Sequence, residues 1–166
     1  MAKVSILCAT SGNNLKLSHS LEEVLKELGA EVELINLEAL DLPLYSPKEE
    51  GNGIPEKATH VADTLAASQG IVMVAPEYNG SLPPVMNNAV AWISRTGEDW
   101  RAAFNGKFSV VATHSGGGGS KVCNAMRQQL EHVGSVVLPR TIVTNYQKEL
   151  NPKSAKAIMT QLLKYC

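Results

Sequence analysis

Apolar residues fall in two rhythms along the chain. Residues 4–9, 71–75, 108–113 and 136–138 are short, near-continuous apolar runs, and between them lie longer stretches in which apolar positions recur every three or four residues. The runs predict strands buried on both faces, and the recurrence predicts amphipathic helices. A helix from about Asn13 carries Leu17, Leu21, Val24, Leu25 and Leu28 on one face and stops at Gly29. Val32 and Leu34 alternate with Glu31, Glu33 and Asn36, the pattern of a strand with one wetter face and hence of a sheet edge. Pro55 suits the first turn of a helix bearing Ala58, Val61, Ala62 and Leu65. Pro83 and Pro84 open another, Val122, Met126, Leu130 and Val133 face inward from a third, and Asn151 caps a last helix that starts at Pro152.

Five strands alternating with five helices predict right-handed crossovers and an α/β fold, a parallel sheet with helices on both faces. In such a sheet ligands bind beyond the carboxyl ends of the strands, where strand order reverses. The loops after the first, third and fourth strands therefore carry the interest. The connection over residues 37–55 also stands out, because nearly twenty residues exceeds the ~2–6 usual in α/β units.

Composition narrows the function classes. The chain has 166 residues and a formal charge of −1, which fits one domain, residues 1–166, and gives no net field toward nucleic acid or an anionic membrane. Its apolar runs are far below the ~20 residues of a membrane span, and the N-terminus lacks a signal-like apolar region, so a cytoplasmic protein is expected. Cys8, Cys123 and Cys166 are odd in number and widely spaced, and His19, His60, His114 and His132 are scattered. Neither set forms a metal or redox motif, so no bound metal is expected.

The first loop, Thr10-Ser11-Gly12-Asn13-Asn14, runs straight into a helix N-terminus and gathers backbone N–H groups, hydroxyls and amides in one concavity. Such a loop suits a phosphate, although an ordinary capped turn would use the same residues. The third-strand loop, Pro76-Glu77-Tyr78-Asn79-Gly80-Ser81, joins a turn dipeptide and an aromatic to a proline-fixed helix start. Rigid backbone donors beside an aromatic ring suit the edge and face of a planar heterocycle. The fourth-strand loop, His114-Ser115-Gly116-Gly117-Gly118, continues to a fourth glycine and allows close approach of a flat ligand. It fits neither the P-loop nor the G-x-G-x-x-G spacing. His114 beside this turn reads as a hydrogen-bonded structural residue before a general base, and Cys8 as core packing.

Pro76-Glu77-Tyr78-Asn79-Gly80-Ser81, followed by Pro83, Asn88, Trp92 and Arg95, resembles the signature of the NADPH-dependent FMN reductase family. The likeness extends to Asp41-Leu42-Pro43-Leu44-Tyr45 and to Arg127, Leu130 and Gly134. The first loop departs from the family's G-S-x-R-x-x-S-x-N stretch. It is about two residues shorter, lacks the arginine, and is closer to the T-x-T-G-N-T loop of flavodoxins. The resemblance implies a flavodoxin-like three-layer sandwich with strand order 2-1-3-4-5. Thr10, Ser11, Gly12, Asn13 and Asn14 would hold the FMN phosphate. Pro76, Glu77, Tyr78, Asn79, Gly80 and Ser81 would line one edge of the isoalloxazine, and His114, Ser115, Gly116, Gly117 and Gly118 its pyrimidine side. No catalytic side chain is assigned, because the flavin supplies the redox chemistry.

The expected activity is hydride transfer from NADPH or NADH through FMN to a small acceptor such as a quinone, azo compound, metal oxyanion or free flavin, in a homodimer or homotetramer. An electron carrier like flavodoxin is the second reading, and a flavin-free domain on the same fold the third.

Overall fold

A computed structural model describes the whole chain, Met1–Cys166. Its elements run β1 (Lys3–Cys8), α1 (Asn13–Glu27), β2 (Glu31–Asn36), the short α2 (Leu37–Leu40) and α3 (Pro47–Glu50), α4 (Glu56–Ala66), β3 (Gly70–Val74) and α5 (Pro84–Ile93). A 3-10 turn (Trp100–Ala103) leads to β4 (Phe108–His114), α6 (Ser120–His132), β5 (Val136–Val137), β6 (Ile142–Thr144) and α7 (Pro152–Tyr165). The strands are parallel in the order β2-β1-β3-β4-β5, the expected one, and β6 also pairs with β4. The fifth position is thus shared. Val136 and Val137 pair with Phe108 and Ser109, and Ile142–Thr144 pair with Ala112–His114. Between them the Arg127 guanidinium donates to the carbonyls of Val137 (3.2 Å), Leu138 (2.8 Å) and Pro139 (3.4 Å). Pro139 cannot donate to a ladder, so the strand expected over 136–138 stops early and resumes past it.

Successive strand residues face opposite layers. Leu7, Ile71, Met73 and Val111 pack with α4, α5 and α6, whereas Val4, Ile6, Val72, Val74 and Val110 pack with α1 and α7. β2 is the edge expected from its alternating glutamates. Helix α1 ends as expected, with Gly29 at φ 85° and the Ala30 N–H returning to the Leu25 carbonyl (3.0 Å). Val24 and Leu28 lie at the margin of the buried face. Asn151 caps α7 through the Ser154 N–H (3.0 Å).

The long connection is structured and fastened. Trp92 Nε1 donates to the Pro43 carbonyl (2.7 Å), Asn88 accepts from the Tyr45 N–H (2.7 Å) and donates to the same Pro43 carbonyl (3.0 Å), and Tyr45 packs edge-on to Trp92. Arg95 lies over the Tyr45 ring. Asn88, Trp92 and Arg95 therefore tie residues 43–45 to α5 and the turn that follows it.

All three cysteines are free. Burial pushes the Cys123 thiol up to about 11 and raises Cys8 and Cys166 as well. At pH 8 a thiol with that value is ionised in about one molecule per thousand. We expect native protein to react slowly with a disulfide reagent at Cys8 and Cys123, and all three to react rapidly in guanidinium. Fast native labelling of Cys123 would show that its packing is looser than described.

Candidate functional site

The three sequence-predicted loops meet at the carboxyl ends of β1, β3 and β4, and side chains lock them together. The Asn14 carboxamide makes two hydrogen bonds to the backbone of His114, accepting from its N–H and donating to its carbonyl, both at 2.9 Å. The residue is buried, so these bonds are shielded from water. The Glu77 N–H donates to Ser115 Oγ (3.1 Å), and the Glu77 carboxylate accepts from the Val122 N–H at the start of α6 (3.4 Å). Ser115 Oγ also bonds Thr113 Oγ1 at 2.7 Å. Asn14, Glu77 and Ser115 thus spend their polar atoms joining one loop to another.

What the loops leave free is backbone. Gly12, at φ 87°, precedes α1 without any side-chain cap, and the N–H groups of Gly12, Asn13, Asn14 and Leu15 have no partner in the chain. An ordinary capped turn is therefore excluded. Four unpaired donors at a helix N-terminus are the groups that bind an anion. The Ser11 N–H is instead taken by the Glu38 carboxylate (2.6 Å), while Asn36 donates to Ser11 Oγ (3.1 Å). The Ser11 N–H, with its hydroxyl, holds the Glu38 carboxyl below its ordinary range. Glu38 comes from α2, a single helical turn within the long connection, and no local sequence signal relates it to Ser11.

In the second loop Tyr78 and Ser81 exchange both backbone hydrogen bonds (3.0 Å each) around Asn79 and Gly80, at φ 50° and 77°. Both central residues are left-handed, as the Asn-Gly dipeptide predicts. Their N–H groups are unpaired, and Tyr78 is half-exposed at the rim. In the glycine loop a Cβ on Gly117 or Gly118 would meet nothing within 4 Å, whereas one on Gly119, at φ 67°, would lie 2.7 Å from Thr113 Cγ2. Gly119 is needed by the fold; Gly117 and Gly118 border open space.

A second hairpin tip was missed by the sequence reading. After β6, Asn145 and Lys148 exchange backbone hydrogen bonds, and Asn145 Oδ1 accepts from the N–H groups of Gln147 (2.9 Å) and Lys148 (2.8 Å). Tyr146 projects from it, mostly exposed, and meets the His114 ring edge-on. The signal available was Asn145 itself, an asparagine placed to close a turn on its own backbone. His114 Nδ1 bonds Thr144 Oγ1 (3.1 Å), and its Nε2 is buried without a partner. His114 is accordingly held as a structural residue at one nitrogen only. No group of three or more His, Cys, Asp or Glu side chains is placed to hold a metal.

A doubly wound sheet in this order, with an uncapped loop after its first strand, is the flavodoxin-like fold. The chain belongs to the NADPH-dependent FMN reductase family, whose model matches residues 2–149. It is 30% identical to the quinone reductase of Escherichia coli K12 over 123 residues, 71% of this chain and 64% of that protein. It thus spans less than two thirds of that relative's length. To the NAD(P)H-dependent FMN reductase of Saccharomyces cerevisiae it is 28% identical over 163 residues, covering 82% of this chain and 80% of that one. In three dimensions it is similar to a flavoenzyme NAD(P)H:(acceptor) oxidoreductase from Paracoccus denitrificans, with a TM-score of 0.81 and 22% identity over 99% of this chain and 97% of the other. A flavodoxin from Bacillus cereus shares the fold at a TM-score of 0.67 and 16% identity, covering 100% and 99%. No helix is long and apolar enough to cross a membrane.

Proposed function

We propose that the crevice holds FMN and that the protein is an NAD(P)H-dependent reductase of small acceptors: quinones, azo compounds, metal oxyanions or free flavin. The observation that carries this reading is the run of unpaired N–H groups from Gly12 to Leu15, locked by Asn14 to the glycine loop. Those donors and the dipole of α1 would meet the phosphate without an arginine. The N–H groups of Asn79 and Gly80 would bond the ring edge, and the open space beside Gly117 and Gly118 would admit its pyrimidine side. Bound FMN supplies two-electron chemistry, accepting hydride from the nicotinamide and passing it on. The chain's part is to bind, to orient and to stabilise negative charge at the ring edge through the fixed turn at residues 78–81.

Family membership favours turnover over the electron-carrier alternative, which the flavodoxin-like first loop keeps in view. The near-neutral charge and Tyr78 at an accessible rim also fit small acceptors, in a homodimer or homotetramer in the cytoplasm. The test is an absorbance spectrum of protein supplemented with FMN, followed by anaerobic NADPH or NADH. Loss of the flavin band near ~450 nm supports the reductase. Bound flavin that neither nucleotide reduces would favour a carrier, and no binding would remove the assignment.

Glu38 yields a further expectation. Its carboxylate is held on the Ser11 N–H, next in the loop to the four unpaired N–H groups proposed for the phosphate, and like charges close together repel. Glu38→Gln should tighten FMN binding by about fivefold, more at low salt, with riboflavin binding unchanged. An equal gain for riboflavin would place Glu38 away from the phosphate.

A further inference from the structure

Tyr146 is a large aromatic ring held in water at the tip of a fixed turn, 79% exposed. The turn itself does not call for it, because the residues that favour such a tip are Gly, Asn, Asp and Ser. Two backbone hydrogen bonds between Asn145 and Lys148, and the two that Asn145 Oδ1 accepts, close the tip around Tyr146 and Gln147. The root of the hairpin is fastened to the start of the glycine loop. The Ser115 N–H donates to the Thr144 carbonyl (3.2 Å), while Thr144 Oγ1 donates to the Thr113 carbonyl (3.1 Å) and bonds His114 Nδ1 (3.1 Å). Hairpin and glycine loop are thereby one unit. The Tyr146 ring stands edge-on to the His114 ring, with centroids 5.3 Å apart, and its Cε2 lies 4.0 Å from the place a Cβ on Gly116 would take. Apart from the adjoining residues, no other atom of the chain comes within 4 Å of that point. Tyr146 therefore stands over the first glycine of a loop whose next two glycines border open space.

We propose that Tyr146 is a flavin-binding residue, packing against the pyrimidine end of the isoalloxazine where the ring lies on the glycine loop; this rests on the FMN reading of the crevice. A flat ring laid along residues 116–118 comes within contact distance of the one large apolar side chain beside Gly116. Their contact removes from water the apolar surface that each exposes when apart. Because Thr144 and Asn145 already hold the hairpin, no backbone has to be ordered to make it. The contact involves the ring and not the phosphate, so FMN and riboflavin gain from it equally.

The test has two parts. Dissociation constants for FMN and riboflavin are measured on the parent, Tyr146→Ala and Tyr146→Phe. Tyr146→Ala should weaken both flavins by the same factor, about tenfold, and Tyr146→Phe should keep both within about twofold of the parent. The urea midpoint should not move in either variant, since the side chain is exposed in the free protein. Nitration with tetranitromethane, mapped by peptide mass, then reports the ring's accessibility. FMN should protect Tyr146 while leaving the rate at Tyr165 unchanged, because Tyr165 is stacked on Phe108 at the opposite end of the sheet. Unchanged affinities in Tyr146→Ala, or a Tyr146 nitrated as fast in the FMN complex as in the free protein, would overturn the contact. So would a loss confined to FMN, which would place Tyr146 at the phosphate. Failure of the parent to bind either flavin would instead remove the FMN reading itself, which the other outcomes leave standing.

Discussion

Gly117→Val is expected to lower FMN affinity about a hundredfold or more while leaving the unfolding midpoint in urea unchanged. The backbone at Gly117 is not left-handed, and an added Cβ meets nothing of the chain within 4 Å, so the fold has no objection to a side chain there. The objection would come from the ligand, because a branched side chain fills the space a flat ring needs. Quenching of flavin fluorescence measures the affinity. Full affinity in a folded Gly117→Val protein would show that the glycine loop only connects two elements. Gly119 is the contrasting site. There the positive φ and the contact with Thr113 make substitution costly to the fold itself, so Gly119→Val cannot test ligand approach.

Asn14→Ala should cost about 2–4 kcal/mol of stability and weaken FMN binding as a consequence. The substitution removes two buried hydrogen bonds at once and leaves the His114 N–H and carbonyl unpaired in the interior. Asn14→Asp separates the halves of the clasp. It keeps an acceptor for the His114 N–H but sets a carboxylate against the His114 carbonyl, so it too should destabilise. Urea unfolding gives the free energy, and a loss under about 0.5 kcal/mol for Asn14→Ala would mean the loops hold together without this residue. On the sequence alone Asn14 reads as a phosphate donor. The structure supports a role one step removed, with its backbone N–H left for the phosphate and its side chain spent on holding the glycine loop in place.

That difference illustrates what the chain's pattern could disclose. The alternation of strands and helices and the positions of the three loops followed from buried apolar runs alternating with helical periodicity, since each local signal agreed with the others, whereas the strand order came from the family resemblance. Turn chemistry was equally legible. Asn79-Gly80 formed the left-handed turn its residues call for, and Pro83-Pro84 opened a helix. Contacts distant in sequence were not legible. Nothing local relates Asn14 to His114, a hundred residues on, or Glu38 to Ser11. β6 escaped because three residues beyond a proline carry too little periodicity to register, and with it went the hairpin bearing Tyr146 and Lys148. Pattern reveals which elements exist, whereas these cross-links depend on how the elements are brought together.

The broken fifth strand has a consequence for the chain's behaviour in a crowded solution. A sheet ends in two rows of peptide groups able to pair with a stranger, and long flat edges invite aggregation. At one border β2 presents Glu31 and Glu33. At the other, the ladder is interrupted between Val137 and Ile142, and the guanidinium of Arg127 bonds the carbonyls of residues 137–139. An incoming strand would find only short stretches of open backbone there, separated by a proline and an arginine. The same interruption that made β6 illegible in the sequence thus protects this border of the sheet against edge-to-edge polymerisation.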